Sequence, residues 1–400
     1  MRFLFLTLGY HPDMDGGAYR YAAEVAERLA ARQHDVHAIF PNPGNALSEC
    51  ESRRGVELHR ITGSAGTRSF ARNWSQRNAA ARAVLTALDG PPHGPQLIAS
   101  HHAYFERAQA GFVQVEFFHG PWGLEYSLAQ KARPRGLLRQ IMDPMIAAKL
   151  HRTEARALRR CRRILVASEY MKSRLGRWHP SVVAPVEVVG GGVNLRQFQP
   201  SADRDSVRAR WGVEPTEFLF LAVRRLDPRM GLMSLIEAFS SVAAHIPHAR
   251  LWLAGRGPQE SALRAAIDSK GLGTRVRLLG FVPEDDLTSL YQAADCTLMP
   301  SLDLEGFGLA TAESLASGTP VLASDSGANP EVVRGLGSQL LFPTGDTRAL
   351  ASLVQAVASG ATPLPTRDRC AEYAAASFRW DRPVEAFEKA ADECQRGGGE

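Results

Sequence analysis

Most of the 400 residues follow one repeating pattern: a short apolar run, a glycine-rich turn and an amphipathic helix. This alternation predicts parallel β-sheets covered by helices, because a strand buried on both faces is apolar along its whole length. Arg2–Leu8 is such a run, and a helix with apolar residues at helical spacing follows Gly16 and Gly17. The run is short and has no small-residue cleavage site after it, so it is interpreted as a buried strand rather than a signal peptide.

The other predicted strands form two groups. These are Val36–Phe40, Leu97–Ser100, Val113–Phe118, Ile164–Ala167 and Val186–Val189, and then Phe218–Val223, Arg250–Ala254, Val276–Phe281, Cys296–Pro300 and Pro320–Ala323. Helices are predicted near 231–244, 258–270, 285–293 and 308–317. The polar segment Val193–Asp205, which contains Pro200, is the predicted linker.

We therefore predict an α/β protein of two Rossmann-like domains, residues 1–195 and 196–377, with a C-terminal helix (about 378–400) packing back on the first. Ligands of such sheets bind at the carboxyl ends of the strands, here in a cleft between the domains.

Composition excludes several classes of protein. No window holds about 18 uninterrupted apolar residues, so a membrane-spanning helix is not expected. The five cysteines are scattered and form no C-x-x-C pair, which argues against a disulfide framework or zinc site and favours a reducing cytoplasm. The net charge is +5, and nearly all of the positive charge comes from arginine, since lysine occurs at only five positions. We attribute this bias to genome composition and predict no nucleic-acid partner.

The segment from Ser301 to Pro320 is the most informative. Glu305 lies in the turn after a strand, and the next helix carries Glu313. Gly306 and Gly308 have no side chains, so the backbone of the turn is accessible. The free amides and positive end of that helix suit a phosphate. Each carboxylate can accept paired hydrogen bonds from a vicinal diol, one on a sugar ring and one on a ribose. The alternative is that Glu305 favours the helix dipole while Glu313 lies on a solvated face; the glycines and the preceding strand favour ligand binding.

A second cluster of candidate residues follows the first strand of the second domain. Arg224, Arg225 and Arg229 lie within six residues at its carboxyl end, where guanidinium groups suit a diphosphate. Arg225 is the main candidate. Surface solubility is the alternative, and it explains one arginine more easily than three.

Three further turns are candidates. His119, at a strand tip before a glycine, suits hydrogen bonding to a sugar hydroxyl or proton transfer, with a structural histidine as the alternative. Gly16 and Gly17 do not form a G-x-G-x-x-G fingerprint, but they allow backbone amides to approach an anion. Gly255 opens a similar strand-to-helix turn in the second domain.

No metal site is predicted. Asp203 and Asp205 have the D-x-D spacing of a metal-binding motif but lie in the predicted linker. Without a carboxylate cluster for Mg²⁺, the arginines and the helix dipole must neutralise the charge of a diphosphate leaving group. Residues 131–163 are rich in arginine and poor in acidic residues; they suit either contact with an anionic membrane surface or, more commonly, a solvated helix.

Glu305 and Glu313, separated by seven residues that include Gly-Phe-Gly-Leu, resemble the E-x7-E signature of retaining glycosyltransferases of family 4, which have the GT-B fold. The surrounding segments match the family in order over almost the whole chain. They are Val223-Arg-Arg-Leu226, Leu253-Ala-Gly-Arg-Gly-Pro258, Leu279-Gly-Phe-Val282, Ser317-Gly-Thr-Pro320 and Pro330-Glu-Val-Val333.

The resemblance implies a role for each candidate. Glu305 would bind hydroxyls of the donor sugar, Glu313 would hold the ribose, and the backbone at Phe307, Gly308 and Leu309 would meet the sugar and phosphates. Arg225 resembles the diphosphate-binding arginine, His119 the cleft histidine near the sugar, and Gly16 and Gly17 the loop beside the diphosphate. The family usually has a lysine at the position of Met230, and Arg229 is the suggested replacement. Gly306, Gly255 and Val282 complete the expected donor site.

The implied activity is metal-independent transfer of a sugar, with retention, from a nucleotide-diphosphate sugar to a hydroxyl of a glycan, a lipid-linked saccharide or a small molecule. A UDP-sugar is favoured because UDP is the commonest donor nucleotide in the family. The loops at 41–75 and 101–111 are expected to select the acceptor. Two alternatives stay open: a non-hydrolysing sugar-nucleotide epimerase and a catalytically silent sugar-nucleotide-binding protein.

Overall fold

The computed structural model describes residues 1–14, 16–42, 49–61, 81, 83, 84, 86, 88, 96–101, 113–131 and 137–396. The predicted acceptor loops at 41–75 and 101–111 therefore lie largely outside the described residues. The chain divides into two compact units. The N-terminal unit comprises Met1–Leu124, Ile141–Gly191 and Trp380–Glu400, and the C-terminal unit comprises Glu125–Gln140 and Gly192–Arg379.

The N-terminal unit contains a sheet in the order β3-β4-β2-β1-β5-β6-β7-β8. Its strands are β1 (Arg2–Thr7), β2 (Asp35–Pro41), β3 (Cys50–Arg53), β4 (Val56–Ile61), β5 (Gln96–His101), β6 (Val113–Phe118), β7 (Arg163–Val166) and β8 (Val186–Val188). All neighbouring pairs are parallel except β3 and β4. The sheet has covered faces, as the apolar β1 predicts: Phe3, Leu4 and Phe5 are fully buried.

The hairpin β3–β4 is absent from the sequence-based prediction. β3 (Cys-Glu-Ser-Arg) is an edge strand with little apolar character, so it carries no hydrophobic signal. Arg54 and Gly55 between the two strands both have positive φ (49° and 82°), as a tight two-residue hairpin turn requires.

The C-terminal unit contains a second, fully parallel sheet. Its strands are β9 (Phe218–Val223), β10 (Ala249–Ala254), β11 (Val276–Gly280), β12 (Cys296–Met299), β13 (Val321–Ser324) and β14 (Leu341–Phe342). Their order, β11-β10-β9-β12-β13-β14, is the doubly wound arrangement in which the chain reverses direction between β9 and β12. The predicted α/β class with two parallel sheets is confirmed. The turns after β9 and β12 lie where ligands bind in such sheets.

Helices connect the strands in both units. They are α1 (Gly17–Ala31), α2 (Trp122–Lys131), α3 (Leu137–Leu158), α4 (Glu169–Trp178), α5 (Arg204–Trp211), α6 (Leu232–His245), α7 (Glu260–Ser269), α8 (Glu284–Ala293), α9 (Leu309–Ala316), α10 (Asn329–Val333), α11 (Thr347–Ala358), α12 (Arg367–Ser377) and α13 (Asp381–Arg396). Among the described residues, none of these helices has the length and apolar character needed to cross a bilayer.

Two features of the helices bear on the predicted organisation. In α13, which belongs to the N-terminal unit, Phe387 packs on Phe5 (ring centroids 5.8 Å apart) and Glu388 pairs with Arg32. Asp203 caps α5, because its carboxylate accepts a hydrogen bond from the amide of Ser206 at 3.1 Å.

Candidate functional site

The turn between β12 and α9 has a fixed backbone conformation. Leu304 adopts a left-handed conformation (φ 56°), which is uncommon for a residue with a side chain. The Asp303 carboxylate accepts from its amide at 2.8 Å, and Nη1 of Arg229 donates to its carbonyl at 3.1 Å. The amide of Ala328 donates to the carbonyl of Glu305 at 2.9 Å. These bonds fix the position from which the Glu305 side chain projects.

Gly327 supports the same turn from the segment after β13. A Cβ at this position would lie 2.6 Å from Cβ of Glu305 and 2.7 Å from its carbonyl oxygen, and φ at Gly327 is +64°. Only glycine satisfies both conditions. Gly327 is not among the residues predicted from sequence; its signal is a glycine just beyond the end of a predicted strand.

The Glu305 carboxylate is bound by Arg224 from the turn that follows β9 and by Ser301 from its own turn. Oε2 accepts hydrogen bonds from Nη2 of Arg224 and from Oγ of Ser301, the latter at 3.0 Å. Nη1 of Arg224 also donates to Oγ of Ser301 at 2.8 Å. Burial alone would raise the pKa of Glu305, but the charge and hydrogen bond of Arg224 outweigh it and hold this pKa below its ordinary value. Glu305 is therefore an anion whose counter-ion is Arg224.

The structure gives the three arginines of this turn different surroundings. Only 6% of the Arg224 side chain is exposed, and its Nη2 lies 3.0 Å from Sδ of the buried Met230. Arg229 donates to the carbonyl of Leu304, as above. Arg225, the main candidate from sequence, is exposed, and no side-chain partner for it is found among the described residues. The arginine that contacts both Met230 and Glu305 is therefore Arg224, a member of the predicted cluster with no predicted role of its own.

Glycines after β10 allow the Arg224 turn to pack closely. A Cβ on Gly255 would lie 1.9 Å from the carbonyl oxygen of Arg224, and one on Gly257 would lie 2.4 Å from that of Leu226. The amide of Leu226 donates to the carbonyl of Arg256 at 2.9 Å. Gly255 therefore supports the backbone that carries Arg224. Val282, beyond β11, is partly buried against the core of the same unit.

The start of α9 leaves polar groups without partners. Gly308 (φ 92°) precedes the first helical residue, Leu309. In the first turn the amide of Thr311 donates to the carbonyl of Gly308 at 2.9 Å, whereas the amides of Leu309 and Ala310 precede the first intrahelical hydrogen bonds and have no partner within the helix. Thr311 Oγ1 and Asn329 Oδ1 are buried and lack a hydrogen-bond partner in the described part of the chain. They lie 3.1 and 3.9 Å from the position of a Cβ on Gly308. Buried polar atoms of this kind usually bind water or a ligand.

Neighbouring residues hold this helix start in place. Phe307 packs edge-on against Phe378, with ring centroids 5.7 Å apart, which anchors the backbone between Gly306 and Gly308. Glu313 is buried and its Oε2 accepts a hydrogen bond from the Tyr291 hydroxyl at 3.1 Å. The alternative that Glu313 lies on a solvated helix face is therefore wrong.

The remaining candidates belong to the N-terminal unit. His119 follows β6, and its Nε2 lies 2.9 Å from Nδ1 of the buried His101, a hydrogen bond in which the tautomer decides the donor. The His119 ring also packs beside Phe117 at 4.6 Å. Gly16 and Gly17 begin α1, with Gly16 at its N-cap. Thus Glu305, Glu313, the arginines, Gly255 and Val282 are carried by one unit, and His119, Gly16 and Gly17 by the other.

Two family models together match most of the chain. Residues 15–197 match the model described as Glycosyltransferase Family 4, and residues 203–377 match the one described as Glycosyl transferases group 1. The chain belongs to the family 4 glycosyltransferases. The E-x7-E resemblance noted in the sequence is confirmed at the level of the family.

Several members with assigned names are similar to this family 4 chain. Over 178 residues it is 35% identical to D-inositol 3-phosphate glycosyltransferase of Mycobacterium sp. (strain KMS), covering 43% of this chain and 39% of the relative. Over 235 residues it is 31% identical to the GDP-mannose-dependent alpha-(1-6)-phosphatidylinositol monomannoside mannosyltransferase of Mycobacterium tuberculosis, covering 54% and 58%. The matched segments thus span about half the length of these curated relatives.

Comparison of folds agrees with the family. The structure resembles sucrose-phosphate synthase from Thermosynechococcus elongatus with a TM-score of 0.83 over 99% of both chains, at 23% sequence identity. This likeness concerns the fold, and it supports the GT-B architecture of two α/β units.

One cluster of metal-ligating residue types occurs in the described part of this glycosyltransferase family member: His151, Glu154 and His179, whose ligand atoms lie within 4.8 Å of one another. The rings of His151 and His179 stack with an interplanar angle of 12° and centroids 4.6 Å apart. Lone pairs lie in the ring planes, so two stacked rings cannot direct them at one ion. Glu154 instead accepts hydrogen bonds from His179 Nε2 at 2.8 Å and from the Trp122 amide, a structural arrangement.

Proposed function

We propose that this protein is a retaining glycosyltransferase that moves a sugar from a nucleotide-diphosphate sugar to a hydroxyl acceptor. One observation carries the proposal. An ionised Glu305, paired with Arg224, projects from a rigid turn at the carboxyl end of β12, directly before the free amides of α9. The site thus offers an anion for sugar hydroxyls and positive groups for a diphosphate within one short segment.

Each part of the donor has a matching group in the C-terminal unit. We assign the sugar hydroxyls to Glu305, the diphosphate to the start of α9 with Arg225 and Arg229, and the ribose to Glu313. Tyr291 orients Glu313 by its hydrogen bond to Oε2. The nucleotide stays a prediction: a UDP-sugar is favoured by the sequence argument, whereas the Mycobacterium tuberculosis relative is named for GDP-mannose. A panel of UDP-, GDP-, ADP- and dTDP-sugars, measured by thermal stabilisation, would identify the donor.

The proposed reaction breaks the bond between the anomeric carbon and the donor phosphate oxygen and forms a bond from that carbon to the acceptor oxygen. The acceptor oxygen bonds to the face of the sugar that the phosphate leaves, so the anomeric configuration is retained. The acceptor proton goes to the leaving phosphate. Glu305 is held by Arg224 and Ser301 in a pairing that opposes attack on carbon. Its proposed role is therefore to orient the sugar, while cations and amides stabilise the departing diphosphate.

Metal independence is part of this proposal. Arginines and the start of α9 supply the positive charge that a divalent cation supplies in other transferases. Activity should persist in excess chelator. A strict requirement for Mg²⁺ would contradict this part of the proposal and leave sugar transfer itself intact.

The deciding experiment incubates the donor with and without a panel of acceptors and follows the anomeric proton by NMR. Retention predicts a product with the anomeric configuration of the donor; the opposite anomer would refute it. A new epimer formed from the donor alone would favour the epimerase alternative, and binding without turnover would favour the silent binding protein.

We further propose that the acceptor is reached at an anionic membrane surface, through α3. Ile141, Met142 and Met145 share one face of this helix, and Ile141 and Met145 are each 67% exposed. Lys149 and Arg152, also exposed, follow on the same helix. Apolar side chains beside basic ones suit an interface with acidic lipids.

Sedimentation with vesicles tests this contact. The protein should pellet with phosphatidylglycerol-containing vesicles and remain in solution with pure phosphatidylcholine. Replacing Ile141, Met142 and Met145 by Ser should abolish pelleting without changing turnover of a water-soluble acceptor. Equal pelleting of wild type and variant would exclude α3 as the contact.

A further inference from the structure

Arg224 contacts the carboxylate of Glu305 and also two thioethers. Nη2 lies 3.0 Å from Sδ of Met230, and Nη1 lies 3.3 Å from Sδ of Met299. A guanidinium has five N–H donors and prefers charged oxygen acceptors, whereas a thioether sulfur accepts hydrogen bonds only weakly. Part of the donor capacity of this almost fully buried cation is therefore directed at poor acceptors.

The Glu305 carboxylate does not accept the remaining N–H donors of Arg224 either. Only its Oε2 is bonded to Arg224, and Ser301 shares that oxygen. A cation placed only to neutralise Glu305 would face it through both oxygens in the bidentate geometry typical of arginine. Here the same Nη2 that donates to Glu305 also contacts Met230, a flexible side chain that adapts readily to a changed neighbour.

We propose that Arg224 binds the diphosphate of the donor, with a phosphate oxygen displacing the thioether of Met230. This rests on the proposed function and extends it, since it makes Arg224 a catalytic residue in contact with the leaving group. Arg224 then links the two ends of the reacting bond, because one amino group holds Glu305 on the sugar side and the same guanidinium meets the phosphate.

The position of Met230 allows a direct test by moving the charge. A lysine side chain is one atom longer than methionine, so Lys at 230 would place its ammonium where Nη2 of Arg224 lies. Arg224→Met removes the cation, and Arg224→Met combined with Met230→Lys restores one from the other side of the turn. Arg264→Met is the control for the same chemical change, because Arg264 is an exposed residue of α7 whose one ion pair within the described ranges is with Glu260.

The measurement is calorimetric binding of the nucleoside diphosphate that the wild type prefers among UDP, GDP, ADP and dTDP, compared with the monophosphate of the same base. Arg224→Met should weaken binding of the diphosphate at least about tenfold and of the monophosphate much less. The double variant should recover most of that loss, and Arg264→Met should bind as wild type. Turnover of Arg224→Met should fall by about 10²-fold or more.

Two outcomes would overturn the assignment. If Arg224→Met, folded by circular dichroism and thermal unfolding, binds the diphosphate as tightly as wild type while turnover falls, Arg224 only positions Glu305. If both nucleotides weaken equally and Met230→Lys restores nothing, the residue stabilises the turn. Failure of wild type to bind UDP, GDP, ADP and dTDP alike would instead refute the proposed function, so the two failures are distinguishable.

Discussion

Gly327 lies so close to Glu305 that no side chain fits between them: a Cβ on Gly327 would be 2.6 Å from Cβ of Glu305 and 2.9 Å from its amide nitrogen. The segment after β13 thus forms one wall of the turn that presents the carboxylate. Because real Cβ atoms do not approach so closely, any substitution of Gly327 must move either its own backbone or the Glu305 turn.

Gly327→Ala should therefore impair both stability and activity. The positive φ alone costs about 1 kcal/mol for alanine, and the clash with Glu305 adds to it. Gly271→Ala is the matched control, since Gly271 has the same φ of +64° and no atom within 4 Å of its Cβ position. Urea unfolding should show a loss for Gly327→Ala that exceeds the loss for Gly271→Ala, and only Gly327→Ala should lower kcat. Equal losses in both variants, with normal kcat, would show that the Glu305 turn is not sensitive to this contact.

The depressed pKa of Glu305 leads to a prediction about pH. A carboxyl whose pKa is lower in the folded state stabilises the fold fully above its unfolded pKa, about 4.3. That contribution is lost as the pH falls through the folded value. The difference in unfolding free energy between wild type and Glu305→Gln should therefore be constant from pH 7 to about pH 5 and should shift against the wild type in more acidic solution. Denaturant titrations across this range measure it, and a difference that changes already between pH 7 and 6 would contradict a lowered pKa.

The turnover of Glu305→Gln tests the proposed role of this carboxylate in the reaction. Glu305→Gln keeps the shape of the side chain but removes its charge, so turnover should fall by about 10²-fold or more while the fold survives. Near-normal turnover would overturn the assigned role. The same substitution leaves Arg224 facing a neutral amide oxygen instead of a carboxylate, so its charge is no longer neutralised and diphosphate binding should be at least as tight as in wild type.

Much of this arrangement is predictable from sequence, and the limits have physical causes. The strands β6 and β9 have the predicted bounds, because continuous apolar runs between turns are a local signal. The two-residue strand β14 is too short to give such a signal and is not predicted. Arg224 and Arg225 are adjacent, and only the direction in which each side chain leaves β9 decides which one meets Glu305. The contact between Gly327 and Glu305 joins segments that follow different strands, so the local hydrophobic pattern does not predict it.

Glu313 leads to a prediction about the nucleotide. If its carboxylate binds the ribose hydroxyls, the wild type should bind the 2′,3′-dideoxy analogue of its preferred nucleoside diphosphate about tenfold or more weakly. Glu313→Ala should bind both nucleotides equally weakly. Tyr291→Phe, which removes the hydrogen bond to Oε2 and keeps the ring, should reduce the preference for ribose by a smaller factor. An undiminished preference in Glu313→Ala would place the ribose elsewhere.

The contact between His101 and His119 gives a prediction for the N-terminal unit. Nδ1 of His101 and Nε2 of His119 are 2.9 Å apart, so one of them must donate and the other accept. His101 also stacks between Phe5 and Phe117, with ring centroids 5.5 and 5.3 Å away. His101→Phe should keep this stacking, and thus most of the stability, but deprive His119 of the partner that orients its ring. If His119 contacts the reacting sugar, kcat should fall about tenfold with little change in KM for the donor. The matched comparison is His119→Phe, which should lower kcat further, and the double variant should be no worse than His119→Phe alone. Additive losses in the double variant would show that His101 acts independently of His119.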